Sequence, residues 1–273
     1  MSVTAKMVKA LRDKTGAGIM DAKRALVAND GDIEASVDWL RAKGMSKAAK
    51  MSTRTAADGL IAVSVSEGVG AMVEVNSETD FVAKNAEFCT LVGSIADCAI
   101  GADGLEDLLE ADIEGKSAAL RLQEGIATLG ENLTLRRMAK VSGESIASYV
   151  HSSVSPGMGK IGVLVAMNGV DTGIGKQVAM HVAASSPLSL SEADMPADRL
   201  VRERQVLIQK AHELRKPAAI IERIVVGGIR KFVGENALLQ QSFVIDPDKC
   251  VGDAAQSAGV EVTGFVRFAI GGN

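Results

Sequence analysis

A chain of 273 residues, nearly half of them apolar, is long enough for one large or two ordinary domains with a packed core. Its net charge of −4 argues against a surface built mainly for nucleic-acid phosphates, and its apolar runs fall short of the ~18 residues that a membrane span needs. Three cysteines without CxxC spacing or a nearby histidine cluster predict reduced thiols rather than disulfides or a zinc site.

The first 50 residues predict a small unit of three helices. Their basic start lacks the apolar core of a secretory signal, so we expect a cytoplasmic protein. Thr4 and Asp32 are placed to cap the first and third helices, and Gly44 is expected to end the third. The mixed basic stretch 48–57 then predicts a linker.

Residues 51–141 predict a first unit of strands and packed helices. Leu60–Val65 and Gly70–Val75 alternate apolar and polar residues around a short turn, as in a β-hairpin. Apolar residues at helical spacing predict a helix over Ala86–Ile100, and a further strand is expected over Leu133–Val141. The fold class indicated is therefore α+β.

Residues 142–273 predict a second α+β unit. A strand over Ile161–Met167 and a helix over Gly175–Ala184 repeat the order of strand, polar turn and helix seen in the first unit, which suggests internal duplication. Residues 197–233 show the three-four spacing of two antiparallel helices in a coiled-coil hairpin, interrupted at Pro217. We expect this hairpin to project from the second unit.

Phe81 is unusual because it lies in a polar turn, in a chain with only six Phe, one Tyr and one Trp. The turn, Ser77–Val82, connects a predicted strand to a predicted helix. Periodicity leaves two alternatives open: Phe81 is the first core residue of that helix, or it is exposed. Glu78 and Asp80 have the oxygen ligands that Mg²⁺ prefers, although acids in turns are more often solvated or cap a helix.

The sequence contains no recognisable catalytic constellation. Its three histidines, His151, His181 and His212, are far apart, and no GxSxG, HExxH or GxxxxGK[ST] pattern occurs. We therefore expect a protein that is not an enzyme and has no catalytic residue, metal ligand or cofactor. A metal-dependent enzyme using Glu78 and Asp80 remains the rival hypothesis.

Several motifs together resemble the bacterial translation elongation factor Ts family, in order along essentially the whole chain. These motifs are Thr15–Asp21, Glu74–Asn76, Thr79–Val82, Gly130–Asn132, Arg136–Arg137, Ile161–Val165, His181–Ser185 and Val262–Phe265. The resemblance implies a guanine nucleotide exchange factor for the GTPase elongation factor Tu. It also implies an N-terminal domain similar to ubiquitin-associated (UBA) domains, a core of two related α+β halves and a projecting helical hairpin.

The resemblance further implies which residues contact the partner GTPase. Phe81 would wedge between partner helices beside the Mg²⁺ site, with Asp80 as its polar companion and Thr79 and Val82 flanking them. Further contacts are expected from Arg12, Ile19, Met20, Leu129, Gly130, Glu131 and Asn132. From the composition we expect neither a membrane nor a direct nucleic-acid partner, since the chain is acidic overall and lacks a membrane-spanning apolar run.

The chain departs from the family pattern at peripheral positions. Lys160 stands where an arginine is frequent, and Ala22 stands where a cysteine is common. The sequence ends at Asn273, three residues after Ile270, where many members continue into a further helical module. We expect these departures to affect peripheral contacts only. The basic stretch Lys43–Arg54 keeps an alternative open, a ribosome- or RNA-associated binding protein.

Overall fold

A computed structural model describes residues 3–214 and 217–272, which form a mixed α/β protein with eleven α-helices and two antiparallel sheets. The helices are α1 Ala5–Thr15, α2 Ile19–Ala28, α3 Ile33–Met51, α4 Asp80–Ala83, α5 Ala86–Ala99, α6 Leu105–Glu110, α7 Ala118–Leu129, α8 Ile174–Ser185, α9 Ala197–Glu213, α10 Ala218–Asn236 and α11 Val251–Ser257. The strands are β1 Asp58–Ser66, β2 Val69–Ser77, β3 Thr134–Ser142, β4 Ser145–His151, β5 Met158–Gly159, β6 Ile161–Asn168 and β7 Glu261–Ala269. No helix among the described residues is long and apolar enough to cross a membrane.

The N-terminal helices α1, α2 and α3 pack around a small apolar core of their own. The two predicted caps are confirmed: Thr4 Oγ1 accepts a hydrogen bond from the Met7 N–H at 3.3 Å, and Asp32 Oδ1 accepts one from the Ala35 N–H at 2.9 Å. Such caps satisfy backbone N–H groups that the first helical turn leaves unpaired. The fully buried members of this core are Leu11, Ala22, Ala25 and Leu26.

The prediction that Gly44 ends the third helix is wrong, because α3 continues to Met51. For the same reason, residues 48–51 of the predicted linker belong to the helix. Gly44 lies where α3 crosses α7, and a Cβ at this position would be only 3.0 Å from the Cβ of Ala127. Lys47 Nζ donates to the Ala127 carbonyl at 3.2 Å. Gly44 therefore permits close approach of two helices, and the basic segment docks the N-terminal helices on the rest of the protein.

Two antiparallel sheets pack against each other, with helices on their outer faces. The first sheet has the order β3-β2-β1-β5 and the second β4-β6-β7. α5 covers the first sheet, and α8 and α11 cover the second. Gly162 lies between the sheets, where a Cβ would be 2.6 Å from Cγ2 of Ile61. The buried residues shared by the facing sides are Ile61, Met72, Leu164 and Phe268.

An ion-pair cluster around a buried glutamate joins the two sheets. Glu74 of β2 is fully buried and accepts hydrogen bonds from Arg137 Nε at 2.6 Å and Arg136 Nη1 at 3.2 Å. Two consecutive arginines reach one carboxylate because the pairing of β2 with β3 shifts register after Glu74, as in a β-bulge. The Arg137 guanidinium also lies 4.2 Å from the ring centre of Phe268 in β7. Arg137 therefore contacts both sheets.

Helices α9 and α10 form a pair joined by a short connection that includes residues 215 and 216, which lie outside the described residues. The predicted interruption at Pro217 is confirmed, since this residue is the N-cap of α10. A connection of this length makes the helices antiparallel neighbours. Gly228 lies against Leu207, whose Cδ1 would be 2.6 Å from an added Cβ. The base of the pair packs around Met195, Val233 and Ala237.

Candidate partner-binding site

The turn after β2 presents Phe81 to solvent. Its side chain is 80% exposed, although it belongs to α4, a single helical turn. Val82 and Ala83 of the same turn are buried in the core below the first sheet. These two residues anchor α4 and leave Phe81 directed outward. The alternative that Phe81 is the first core residue of the following helix is therefore wrong.

Asn85 separates this turn from the next helix. Its Oδ1 accepts hydrogen bonds from the N–H groups of Glu87 at 2.8 Å and Phe88 at 3.3 Å, so it caps α5. Phe88 is fully buried and is the first aromatic residue of the core face of α5. The chain thus begins a new helix after α4, and Phe81 is not part of its apolar stripe.

Two carboxylates hold the turn that precedes Phe81. Glu131 accepts hydrogen bonds from the N–H groups of Glu78 at 3.1 Å and Thr79 at 3.0 Å, and from the Thr79 hydroxyl at 2.5 Å. In return, Glu78 accepts one from the Asn132 N–H at 2.7 Å. Hydrogen bonds to a charged acceptor are stronger than those between neutral groups. The reciprocal bonds therefore fix the turn to the segment that follows α7.

A third segment completes this support. The buried side chain of Asn132 donates to the Arg54 carbonyl at 2.8 Å, and the Arg54 guanidinium lies 3.5 Å from Glu78. Gly130 has a left-handed φ of 80°, which glycine adopts without strain, and it turns the chain at the end of α7 so that Glu131 reaches the β2 turn. Three sequence-distant segments therefore hold one exposed aromatic side chain in place.

Asp80 pairs with Lys84 one helical turn away. The distance from Lys84 Nζ to Asp80 Oδ2 is 2.7 Å, and this hydrogen bond lowers the pKa of Asp80 and raises the pKa of Lys84. The N-cap position of α4 is Thr79, so Asp80 lies in the first turn, where a negative charge suits the helix N-terminus. An ionised carboxylate is thus presented beside Phe81.

The arrangement offers no support for the metal-enzyme hypothesis. Within residues 3–214 and 217–272, no group of three His, Cys, Asp or Glu side chains is placed to hold a metal ion. Glu78 is engaged by a backbone N–H and by Arg54, and Asp80 is engaged by Lys84. The two carboxylates do not form a shared site.

Both ring nitrogens of His181 are engaged in hydrogen bonds inside the protein, which indicates a structural role. It is buried, its Nε2 lies 2.8 Å from Gln241 Oε1, and its Nδ1 accepts a hydrogen bond from the Val244 N–H at 3.2 Å. An amide acceptor on one side and a backbone donor on the other suit the neutral imidazole with its proton on Nε2. Burial lowers the pKa of His181, which favours the same form.

The residues predicted as contacts in the N-terminal helices are all exposed. Arg12 lies in the last turn of α1, and Ile19 and Met20 begin α2 with exposed fractions of 58% and 64%. Two large apolar side chains at one exposed helix start form a surface that can bind another protein.

The predicted contacts at the end of α7 divide into two kinds. Leu129 and Gly130 are partly exposed, whereas Glu131 bonds to the β2 turn and Asn132 is buried. The structure thus brings Glu131 and Asn132 together with Thr79 as supports of the turn. Sequence reasoning missed this role, and also the roles of Glu78 and Arg54.

Val170 is a second exposed residue that sequence reasoning did not single out. It is 80% exposed and lies between β6 and α8, the place in the second half that corresponds to the turn between β2 and the helices after it. The repeated order of strand, turn and helix is the signal that could have identified it. Its exposure equals that of Phe81, but its side chain is smaller and aliphatic.

Comparisons with known proteins give a consistent result over nearly the whole chain. The family described as elongation factor TS matches residues 78–272. The chain is similar to proteins named elongation factor Ts from Dinoroseobacter shibae and Ruegeria sp., each 58% identical over 271 residues that cover 99% of this chain and 93% of the relative. It is also 57% identical over 278 residues to a protein of the same name from Cereibacter sphaeroides, with the same coverage.

Proposed function

The chain belongs to the elongation factor Ts family, and we propose that it promotes the release of GDP from the GTPase elongation factor Tu. The observation that best supports a binding role at this site is the 80% exposure of Phe81 on a turn held by Glu131 and Glu78. Aromatic anchors that bury on binding carry much of the energy of protein interfaces. A firmly held anchor loses little conformational entropy when it binds.

In the proposed mechanism, Phe81 inserts between helices of the partner beside its Mg²⁺ site, with Thr79, Asp80 and Val82 around it. Burial of a Phe side chain contributes about 1.5–3 kcal/mol. If Phe81 fits only the partner conformation in which Mg²⁺ is displaced, binding of the factor favours that conformation and lowers the partner's affinity for GDP. The coupling is reciprocal, so nucleotide binding also releases the factor. Exchange accelerates without covalent chemistry.

Asp80 is proposed to act as the polar companion of Phe81. Its pairing with Lys84 keeps the carboxylate charged and stabilises the single turn of α4 on which Phe81 lies. A negative charge carried next to the partner's metal site would compete with the phosphates and carboxylates that hold Mg²⁺ there.

We propose the same division of the chain that its sequence predicts. Residues 1–50 form a UBA-like domain that contacts a second helix of the partner, 51–141 carry the exchange turn, and 142–273 form a related half with the α9–α10 hairpin. The separate apolar core of α1–α3 supports the first assignment. The two sheets, each with its own helices, support the other two.

The RNA-associated alternative loses the observation that motivated it. Lys47 of the basic segment donates to the Ala127 carbonyl, and Arg54 pairs with Glu78. Lys43 lies over the ring of Trp39, 4.5 Å from its centre. Three of the four cations of this stretch therefore contact other groups of the protein, so the segment is not a free basic linker.

The proposed function is tested by the rate of labelled GDP release from the cognate elongation factor Tu. Catalytic amounts of the wild-type protein should accelerate release, and Phe81→Ala should lower this acceleration roughly tenfold to a hundredfold, given the burial energy of a Phe side chain. Val65→Ala is the control, because Val65 is an exposed apolar residue of the same half, beside the opposite end of β2 from the turn, and is not among the proposed contacts. No acceleration by the wild type would overturn the function, and full activity of Phe81→Ala would overturn the wedge.

A further inference from the structure

Charge is unevenly distributed along the chain. Residues 197–236, which contain the α9–α10 pair, hold nine Lys or Arg and five Asp or Glu, a net charge of +4. The whole chain carries −4, so the remaining residues carry −8. The pair is therefore a basic arm on an acidic protein, which the overall charge conceals.

Four arginines in the described part of this arm are exposed and have no salt-bridge partner there. Arg199 and Arg202 on α9, and Arg223 and Arg230 on α10, are all exposed. Among the residues that the structure describes, the salt bridge within the arm joins Lys231 to Glu235 on α10, and these four arginines take part in none. They are free to meet anions from outside the chain.

The outer face of α10 also has an unusual shape. Arg223, Gly227, Arg230 and Gly234 follow a spacing of four, three and four residues, so they lie along one face of the helix. An added Cβ at Gly227 or Gly234 would meet no atom within 4 Å, unlike one at Gly228, which packs against α9. Packing within this chain therefore gives no reason for two helix-weakening glycines on the arginine face. A partner that approaches the α10 backbone closely would explain both glycines.

We propose that the α9–α10 arm binds RNA through its phosphate backbone, with Arg223 and Arg230 as principal contacts and Arg199 and Arg202 as additional ones. Arginine matches phosphate oxygens bidentately, and a glycine surface between two arginines admits a sugar–phosphate strand close to the helix. The acidic remainder of the protein repels RNA and orients it toward the arm. RNA is the polyanion chosen because an extended sugar–phosphate strand can follow the line of exposed arginines and open glycines along α10. The negative net charge of the whole chain predicts no nucleic-acid partner, because it conceals this basic arm.

The test is a titration of a fluorescein-labelled single-stranded RNA of about 20 nucleotides, followed by fluorescence anisotropy between about 50 and 200 mM salt. Wild-type affinity should fall with salt. Arg223→Gln/Arg230→Gln should bind roughly tenfold more weakly at low salt, and its slope of log affinity against log salt should be shallower by about 1.4, the value for two lost phosphate contacts. The control Lys6→Gln/Lys9→Gln removes two exposed cations from α1 and should match the wild type.

A charge-neutral variant tests the close approach separately. Gly227→Leu favours the helix and keeps every cation, so it should weaken RNA binding while leaving the salt slope unchanged. Equal losses in the arm variant and the α1 control, an absence of salt-dependent binding by the wild type, or stronger binding of poly-glutamate or anionic vesicles would each overturn the proposal. Unchanged binding by Gly227→Leu would contradict the close approach along α10. The arm variants should retain full GDP release, so failure of RNA binding is distinguishable from failure of the exchange function.

Discussion

Replacing Glu131 by alanine should reduce exchange activity, because this side chain holds the turn that carries Phe81. The substitution removes three hydrogen bonds to Glu78 and Thr79, at 3.1, 3.0 and 2.5 Å. Glu131 is partly exposed, so about 1 kcal/mol each is a suitable figure, and the turn loses about 3 kcal/mol of local stabilisation. Residues 78–80 then become mobile in the free protein.

The partner must order these three residues again when it binds. Fixing one residue costs about 1–2 kcal/mol, and part of the order is kept through Val82, so a total of about 1.5–3 kcal/mol is expected. This corresponds to a tenfold to hundredfold loss in the second-order rate constant for GDP release. Measured at low concentrations of factor, the variant should show this loss with little change in its melting temperature.

The control is Glu124→Ala, which removes a carboxylate from α7 that pairs with Lys116 and does not contact the turn. It should retain wild-type activity. Amide exchange provides the second readout, because the N–H groups of Glu78 and Thr79 should lose protection in Glu131→Ala alone. If those amides lose protection while the acceleration of GDP release stays at the wild-type level, the idea that a rigidly held turn presents Phe81 is refuted.

Three further predictions concern stability. Gly44→Leu should lower the unfolding free energy by about 1–3 kcal/mol in thermal unfolding, because the α3–α7 crossing has no room for a side chain, whereas Gly227→Ala at an open site should not. Burial lowers the pKa of His181, so below the ordinary histidine pKa of 6.5 the unfolded state binds more protons than the folded state. The unfolding free energy measured with urea should therefore fall as the pH drops below about 6.5, by at most about 1.4 kcal/mol per pH unit. The variant His181→Gln should lack this component of the pH dependence. Glu74→Ala leaves the partly exposed Arg137 without its carboxylate and should lower the unfolding free energy by about 1–3 kcal/mol; a value within about 0.5 kcal/mol of wild type would contradict the role of this cluster.

Local chemistry explains what the sequence predicted about the fold. Caps such as Thr4 and Asp32, and the alternation in β1 and β2, act within a few residues, so their signals are complete in the sequence. Gly44 was misjudged because a glycine in a helical pattern has two explanations, a helix end and a close crossing. Only the position of α7 distinguishes them.

The candidate site shows the same division between local and distant causes. Phe81 stood out in sequence because an aromatic residue in a polar turn is rare in this chain, but its exposure depends on Val82 and Ala83 occupying the core. The support from Glu131 crosses about fifty residues of chain. No periodic pattern encodes such a contact, since a glutamate in one turn and two N–H groups in another look like ordinary solvated groups.

The role of Phe81 is tested most directly by measuring GDP release from elongation factor Tu with and without Mg²⁺. When Mg²⁺ is present, the wild-type protein should accelerate release far more than Phe81→Ala does. When a chelator removes Mg²⁺, basal release should rise and the ratio of the two rates should fall toward one, because the step that Phe81 promotes has already occurred. A ratio that stays the same after chelation would contradict the account.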